Sequence, residues 1–545
     1  MKKLRLPPTL AAFLLLAVLG IATASDVPVS DDARFYVPAA AAYGRWAERV
    51  MTFDLAALSA TEINRAFRHN REHPPVAKYV MAAGWLLLHR WTGITDEVSA
   101  CRFGVILLWA WMCAIVFAWV RNSSSLIAGI FAALALATMP RLLYHAHAET
   151  LDLPITAFLL LAGHSLFRCL EKPSLRTGIV TTVFFALALG TKLNAPFFLV
   201  AAVTYLLLWQ VPRLDGLRLH LPPMPWVLAA LCLVAPLLAW ALWPWLWFDT
   251  FNRLGAYLAF HLKHYGIFFY YGGAHYGDEV APWSAPWVMT ALTLPVPILG
   301  AALLGAARPL RTLAARLPGL RRFAWPSSLD TPSLRLATFA LLQAGMQIGA
   351  VSLPSVPKYG GIKLFLPALP FIAILAGLGF QTICDEIGRH FPGRRRLAIS
   401  AATGALLLLP GILGAVAYRH SWLSYYNTLA GGVAGATASG YERQYYDLGY
   451  PQMAAAISRH LPQGGLVAVV PNPKEYGPHL GRWQRQGMLP PTIRLAPLER
   501  AELVILTHER RWLGYPELMA RLRSRHLLER FEIAGIPMFS VYAGR

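Results

Sequence analysis

Two aspartates, Asp31 and Asp32, stand side by side in "SDVPVSDDARFYVP", a few residues after an apolar run. Carboxylates this close to a membrane boundary are costly unless something uses them. As caps they would stabilise the first turn of the stretch that follows, whose Phe35, Tyr43 and Trp46 suit an interface, by about 1 kcal/mol. One aspartate is enough for capping. Adjacent side chains point in different directions, so one can cap while the other faces a cavity as a general base. Spacing alone leaves both uses open.

Three further stretches carry chemistry-bearing side chains. In "REHPPVAKY", Pro74 and Pro75 hold the backbone in an extended turn that presents Glu72, His73 and Lys78. Cations so presented suit an anionic lipid headgroup; a solvated loop is the plainer alternative. "RLLYHAHAETLDLP" crowds Arg141, His145, His147, Glu149 and Asp152 into one short turn. His145 and His147, with Glu149 and Glu72 on the same side, are weak candidate ligands for a divalent metal, because no regular element fixes their geometry. Asp152, just before Leu-Pro at a helix entrance, is either a cap or a working acid.

The segment from Arg253 to Trp287 mixes His261, Lys263, His264 and His275 with Tyr265, Tyr270, Tyr271, Tyr276, Trp283 and Trp287. Aromatics beside cations form an interfacial belt, or they stack on a sugar while the cations hold a phosphate. "PSVPKYGGIK" adds Lys358, Tyr359 and Lys363.

These groups must be positioned by membrane helices. The chain has 545 residues, 56% hydrophobic and 14% charged, against roughly 25% charged in soluble domains. Eleven apolar runs are readable: Pro7–Ala24, Ser99–Val120, Ser125–Met139, Pro154–Phe167, Gly178–Gly190, Ala195–Trp209, Pro225–Trp243, Pro286–Ala306, Leu336–Leu353, Leu364–Phe380 and Leu397–Tyr418. The first also resembles a cleavable leader; ten further runs make a retained helix the better reading. The net charge of +21 lies in arginine clusters between runs, the pattern of cytoplasmic loops rather than of a nucleic-acid surface. Arg308, Arg311, Arg316, Arg321, Arg322, Arg394, Arg395 and Arg396 then face inward, with the N-terminus inside and the C-terminus outside the cytoplasmic (inner) membrane. Cys101, Cys113, Cys169, Cys232 and Cys384 lie within or at the ends of apolar runs, without metal or disulfide spacing.

The outer face therefore receives residues 25–98, the turn 140–151, the loop 248–285, the hairpin 354–363 and everything after Tyr418. The tail alternates a helix (Pro451–His460), strands (Leu466–Val470 and Leu503–Thr507), a helix (Tyr515–Leu522) and a strand (Met538–Tyr542). That order predicts a small α/β domain over 419–545, outside the membrane, capping a transmembrane catalytic domain over 1–418.

The ordered set of Asp31-Asp32, "EHPP" (Glu72–Pro75), "TLDLP" (Thr150–Pro154), "GTKLN" (Gly190–Asn194), "YGDEVAPWSAPW" (Tyr276–Trp287), "KYGGIKLFLPALPF" (Lys358–Phe371) and "SYYNTLAGG" (Ser424–Gly432) resembles the GT-C membrane glycosyltransferases. Within them it is similar to the protein O-mannosyltransferase-like family, which includes aminoarabinose transferases acting on lipid A. The resemblance implies a GT-C fold and inverting transfer of a sugar from a polyprenyl-phosphate donor to an envelope acceptor: lipid A, a glycan or a protein. It makes Asp31 the base, with Asp32 where glutamate is frequent and Asp152 at the second acidic position. His73 replaces a frequent lysine; the expected phosphate contacts are Lys263, His264, Lys358, Tyr359, Lys363 and His73, with the weight moved from His73 to the lysines. Lys192 is expected to be a helix-break residue. The competing readings are a transporter or flippase of lipid-linked sugars, which needs acids at the bilayer midplane and repeat symmetry between halves, and a non-catalytic scaffold with a binding cap.

Overall fold

Each of the eleven apolar runs folds as a helix, because backbone polar groups in hydrocarbon must be satisfied within the segment. The computed structural model describes residues 6–209, 213–215, 218–220, 225–263, 266–277, 280–316 and 331–544. Among the described residues five helices are long and apolar enough to cross a membrane: Glu97–Ser123, Asp152–Glu171, Pro332–Ser352, Lys363–His390 and Arg394–Ala417. Two bent pairs bring the number to seven: Leu126–Ala137 with Pro140–Ala146, at 73°, and Ala285–Thr293 with Val296–Ala314, at 120°. Pro140 and Pro295 stand at these breaks, where the ring forbids an uninterrupted helix. Four shorter apolar helices, Pro8–Ala22, Leu175–Leu189, Phe197–Leu208 and Trp226–Ala241, account for the other runs. The protein is a multi-pass membrane protein.

Asp152–Glu171 and Lys363–His390 are the central helices, with 83% and 89% of their apolar windows covered by protein; Arg394–Ala417, at 28%, runs along the rim. The segment 25–98 carries the helices Ala33–Met51, Ala60–Ala66 and Val76–Gly84 before the long helix Glu97–Ser123. The segment 248–285 holds the helix Thr250–Leu262 and a hairpin, Phe268–Tyr271 paired with Ala274–Gly277. Its turn uses Gly272 and Gly273 at φ +60° and +83°, a backbone region costly for any other residue type. Gly273 N donates to Gly440 O at 3.1 Å, and a Cβ on Gly440 would stand 2.0 Å from Gly273 N. The hairpin tip is thereby docked on the segment that leads into the C-terminal sheet.

That sheet has five strands in the spatial order Arg494–Leu495, Leu466–Val470, Leu503–Thr507, Ile536–Ala543, Leu527–Ile533. The first three are parallel and the last two antiparallel to their neighbours. The expected helices Pro451–His460 and Tyr515–Leu522 are present; the helix Pro473–Arg485 and the strand Leu527–Ile533 were not anticipated. Leu448, Tyr450, Val467 and Tyr476 belong to one apolar core with Val27, Val29 and Tyr36, so the sheet region and the first loop pack as one body.

Candidate active site

After the helix Pro8–Ala22 the chain makes a short turn and runs extended through Val29, which pairs with Gly449; Gly449 N donates to Val29 O at 2.8 Å. This bridge sets the two aspartates beneath the C-terminal region. The helix Ala33–Met51 is entered through Asp32, yet the Asp32 side chain makes no capping bond. The capping reading therefore fails for it. Both aspartates line a cavity of about 540 Å³. Asp31 Oδ1 is buried there without a hydrogen-bond partner among the described residues. Burial first, then the charges of Asp32 and Asp447, holds the Asp31 carboxyl well above the usual carboxylate range, while Arg511 and Lys363 pull the other way. Asp32 is also raised, chiefly by burial, against the opposing charge of Lys363.

Asp152 lines the same cavity but is fully engaged. Lys192 Nζ lies 2.7 Å from its Oδ1, and the Tyr446 hydroxyl donates to its Oδ2 at 3.2 Å. His145 Nδ1 stands 3.5 Å from the same Oδ2, and its Nε2 pairs with the Tyr445 hydroxyl at 2.8 Å. Lys192, expected as a helix-break residue, is thus an ion-pair partner in the cavity wall.

Of the expected phosphate contacts, Tyr359, Lys363 and His73 line the cavity. The Lys363 ammonium lies over the rings of Tyr359 and Tyr446, 4.9 and 4.8 Å from their centroids. His73 is held well below its ordinary range by burial and by Lys78, so it enters the cavity as a neutral imidazole rather than a cation. Three expectations are corrected. Lys263 is exposed at the end of the helix Thr250–Leu262 and does not line the cavity, whereas the hairpin strand Phe268–Tyr271 does. Lys358 is buried with its ammonium spent on the carbonyls of Leu353 (3.0 Å) and Val356 (2.9 Å), which pin its own loop. Lys78 is likewise not presented outward: its Nζ bonds Asn70 O, Asn70 Oδ1 and His73 O at 2.7–3.0 Å and fixes the loop that carries His73. His264 lies outside the described residues.

The candidate metal ligands do not assemble. Glu72 accepts from Asn70 at 2.8 Å, His145 faces Asp152, and His147 bonds Gly20 O and Thr23 at 3.0 Å. Among the described residues no three His, Cys, Asp or Glu side chains form a group that could hold a metal ion.

Sequence reasoning missed the residues that close the cavity from above. "YERQYYD", Tyr441–Asp447, supplies Tyr441, Glu442, Tyr445, Tyr446 and Asp447 to its wall. Arg511 joins them, donating to Tyr445 O (2.8 Å), Asp447 (2.7 Å) and Glu509 (2.8 Å). Burial pushes Glu442 up to about 7. Arg141, noted in the sequence without a role, packs its guanidinium 4.4 Å from the Tyr426 ring centroid; its Nε donates to Tyr425 O at 3.0 Å, and its buried Nη2 has no hydrogen-bond partner among the described residues. A high density of tyrosine and charge in a segment following the last apolar run was the available signal.

A second cavity of about 730 Å³ lies on the other side of Asp31. The two cavities share three lining residues, Asp31, Arg34 and Glu475, and Arg34 and Glu475 form an ion pair. The arrangement sets a carboxyl group with an unpaired oxygen between two chambers, both lined by cationic side chains: Lys363 and Arg141 in one, Arg482 and Arg485 in the other. It can support a displacement in which a nucleophile and a phosphate leaving group approach one carbon from opposite sides.

The crystal structure of ArnT from Cupriavidus metallidurans in the apo state superposes over 98% of this chain and 97% of that one, at 14% identity and a TM-score of 0.50. The chain has the GT-C glycosyltransferase fold. Residues 72–240 match the model of the dolichyl-phosphate-mannose-protein mannosyltransferase family, a span running from the His73 turn past Asp152 and Lys192. The crystal structure of the Archaeoglobus fulgidus oligosaccharyltransferase in the apo form is a more distant match, at 10% identity and a TM-score of 0.46 over 87% of this chain and 63% of that one. No curated protein matches the sequence. In this GT-C chain the acidic pair, Asp152 and Lys363 converge on one cavity, although Asp31 and Lys363 are more than 300 residues apart in sequence.

Proposed function

We propose that the protein is an inverting glycosyltransferase that moves a sugar from a polyprenyl-phosphate donor to an envelope acceptor on the outer face of the cytoplasmic membrane. The observation that carries this reading is Asp31, whose unpaired Oδ1 is buried where the two cavities adjoin. The donor's phosphate sits in the cavity of about 540 Å³, against Lys363 and the unpaired Nη2 of Arg141. The acceptor hydroxyl arrives from the other side. Asp31 takes its proton as the oxygen attacks the anomeric carbon; the bond from that carbon to the phosphate oxygen breaks, and the lipid phosphate departs with the negative charge stabilised by the cations. One displacement inverts the anomeric configuration.

In this reading all eleven helical runs cross the membrane, the N-terminus is inside, and residues 419–545 form an extracytoplasmic cap that roofs the donor cavity. Asp31 stands just before the helix Ala33–Met51 and Asp152 is the first residue of Asp152–Glu171, so both acids lie at helix starts rather than at mid-span, which favours chemistry over the transport reading. The experiment is mass spectrometry of lipids, glycans and envelope proteins from cells carrying the wild-type chain or Asp31→Asn. One sugar mass should disappear with the variant while the protein remains inserted. Unchanged sugar masses in the variant reject Asp31 as the base.

A further inference from the structure

The backbone that leads to Asp31 is gripped between Ala24 and Pro28 by one side chain. Arg102, on the membrane helix Glu97–Ser123, is 3% exposed. Its Nη1 donates to Ala24 O and Val27 O, both at 2.9 Å, its Nη2 reaches Pro28 O at 3.5 Å, and its Nε donates to Glu149. Glu149 is fully buried and lies three residues before Asp152. One guanidinium therefore ties the backbone leading to the first acidic site to the turn leading to the second.

We propose that Arg102 and Glu149 are positioning residues that hold Asp31 at its working distance from the rest of the donor cavity. Neither lines that cavity, so neither touches substrate. A guanidinium suits the task because its planar fork can serve several carbonyls and a carboxylate at once, which an ammonium cannot do in the same geometry. His147 reinforces the grip by bonding Gly20 O and Thr23 at the end of the preceding helix. The turn 145–149 thus organises the acidic loop. A base displaced by about 1 Å loses on the order of a hundredfold in rate without any loss of ground-state binding.

The inference rests on the reading of Asp31 as base, and the test separates the two. Replacing a buried ion pair with apolar side chains of similar volume is often neutral for stability, so Arg102→Met/Glu149→Leu removes the clamp without stranding a buried charge, and the remaining cost is the donor lost by the carbonyls of Ala24, Val27 and Pro28. Three quantities are read on the full-length chain: the sugar product in cells, binding of undecaprenyl phosphate to the purified protein, and amide exchange over residues 24–30. The expected result is product down about tenfold or more, undecaprenyl phosphate affinity within about threefold of wild type, and faster exchange over 24–30. Arg102→Lys, which keeps the charge, should also lose product, and it is the variant to read if the double one fails to accumulate. Wild-type product in a clamp variant with accelerated exchange overturns the proposal, as does loss of product with unchanged exchange. If Asp31→Asn retains product, the base assignment fails whatever the clamp variants do.

Discussion

Lys192 Nζ and Asp152 Oδ1 are 2.7 Å apart, with the two side chains 17% and 5% exposed. The pair bears on the proposed choice of base, since Asp152 has both oxygens engaged, by Lys192 and Tyr446, whereas Asp31 Oδ1 has no hydrogen-bond partner among the described residues. Removing one member of a buried pair strands the other's charge, at a cost of roughly 3–5 kcal/mol. Lys192→Met should therefore lower the melting temperature of the purified protein markedly, and Lys192→Met/Asp152→Asn should recover most of the loss without recovering sugar transfer. A double variant no more stable than the single one would show that the pair is not coupled.

Asp31→Asn and Asp32→Asn should separate cleanly. Asparagine at 31 keeps shape and removes the proton acceptor, so turnover should fall by about 10²–10⁴ while undecaprenyl phosphate still binds. Asp32→Asn removes one of the charges that raise Asp31, so it should leave measurable turnover and move its pH dependence. Equal losses in both variants would shift the base assignment to the pair as a unit.

The pH profile follows from sign. A base works only when ionised, so transfer should rise with pH through the Asp31 value, which lies well above the ordinary carboxylate range. Asp32→Asn removes a negative neighbour and should move the acidic limb to lower pH. Lys363→Gln removes a positive neighbour and should move it to higher pH. Measured initial rates between pH 5 and 9 check both directions, and a limb that stays put in both variants would exclude Asp31 as the titrating group.

Much of the fold could be read from hydropathy, because membrane helices announce themselves by apolar length: all eleven runs are helical. The strands Leu466–Val470 and Leu503–Thr507 were equally plain, being short β-branched runs between turn signals. The helix Pro473–Arg485 was not, since Pro478, Gly477 and Gly481 depress its propensity and packing of Tyr476, Leu480 and Trp483 overrides it. Asp31, Asp32, Asp152, Tyr359, Lys363 and His73 stand in local motifs readable from the sequence, and all six line the one cavity. Arg141, Glu442, Tyr445, Asp447 and Arg511 depend on how the tail folds back over the first loop through the Val29–Gly449 bridge, and no local pattern encodes that. Lys263 and Lys358 misled for the converse reason: charge in a plausible loop says nothing about where the side chain ends.

Arg141 and Lys363 both offer positive charge to a phosphate, but they should fail differently. The Arg141 guanidinium is stacked near Tyr426 and Tyr445, with centroid distances of 4.4 and 5.7 Å, and leaves Nη2 without a partner among the described residues. It is not among the charges that chiefly set Asp31, whereas Lys363 is. Arg141→Gln should weaken undecaprenyl phosphate binding by about tenfold or more, the loss of a charged hydrogen bond of roughly 1.5–3 kcal/mol, with the pH limb unmoved. Lys363→Gln should weaken binding and move the limb together. Arg141→Lys should recover only part of the affinity, because an ammonium cannot reproduce the planar stacking. Titration of the purified variants with undecaprenyl phosphate, paired with their pH profiles, tests the distinction; unchanged affinity in Arg141→Gln would remove this guanidinium from the donor site.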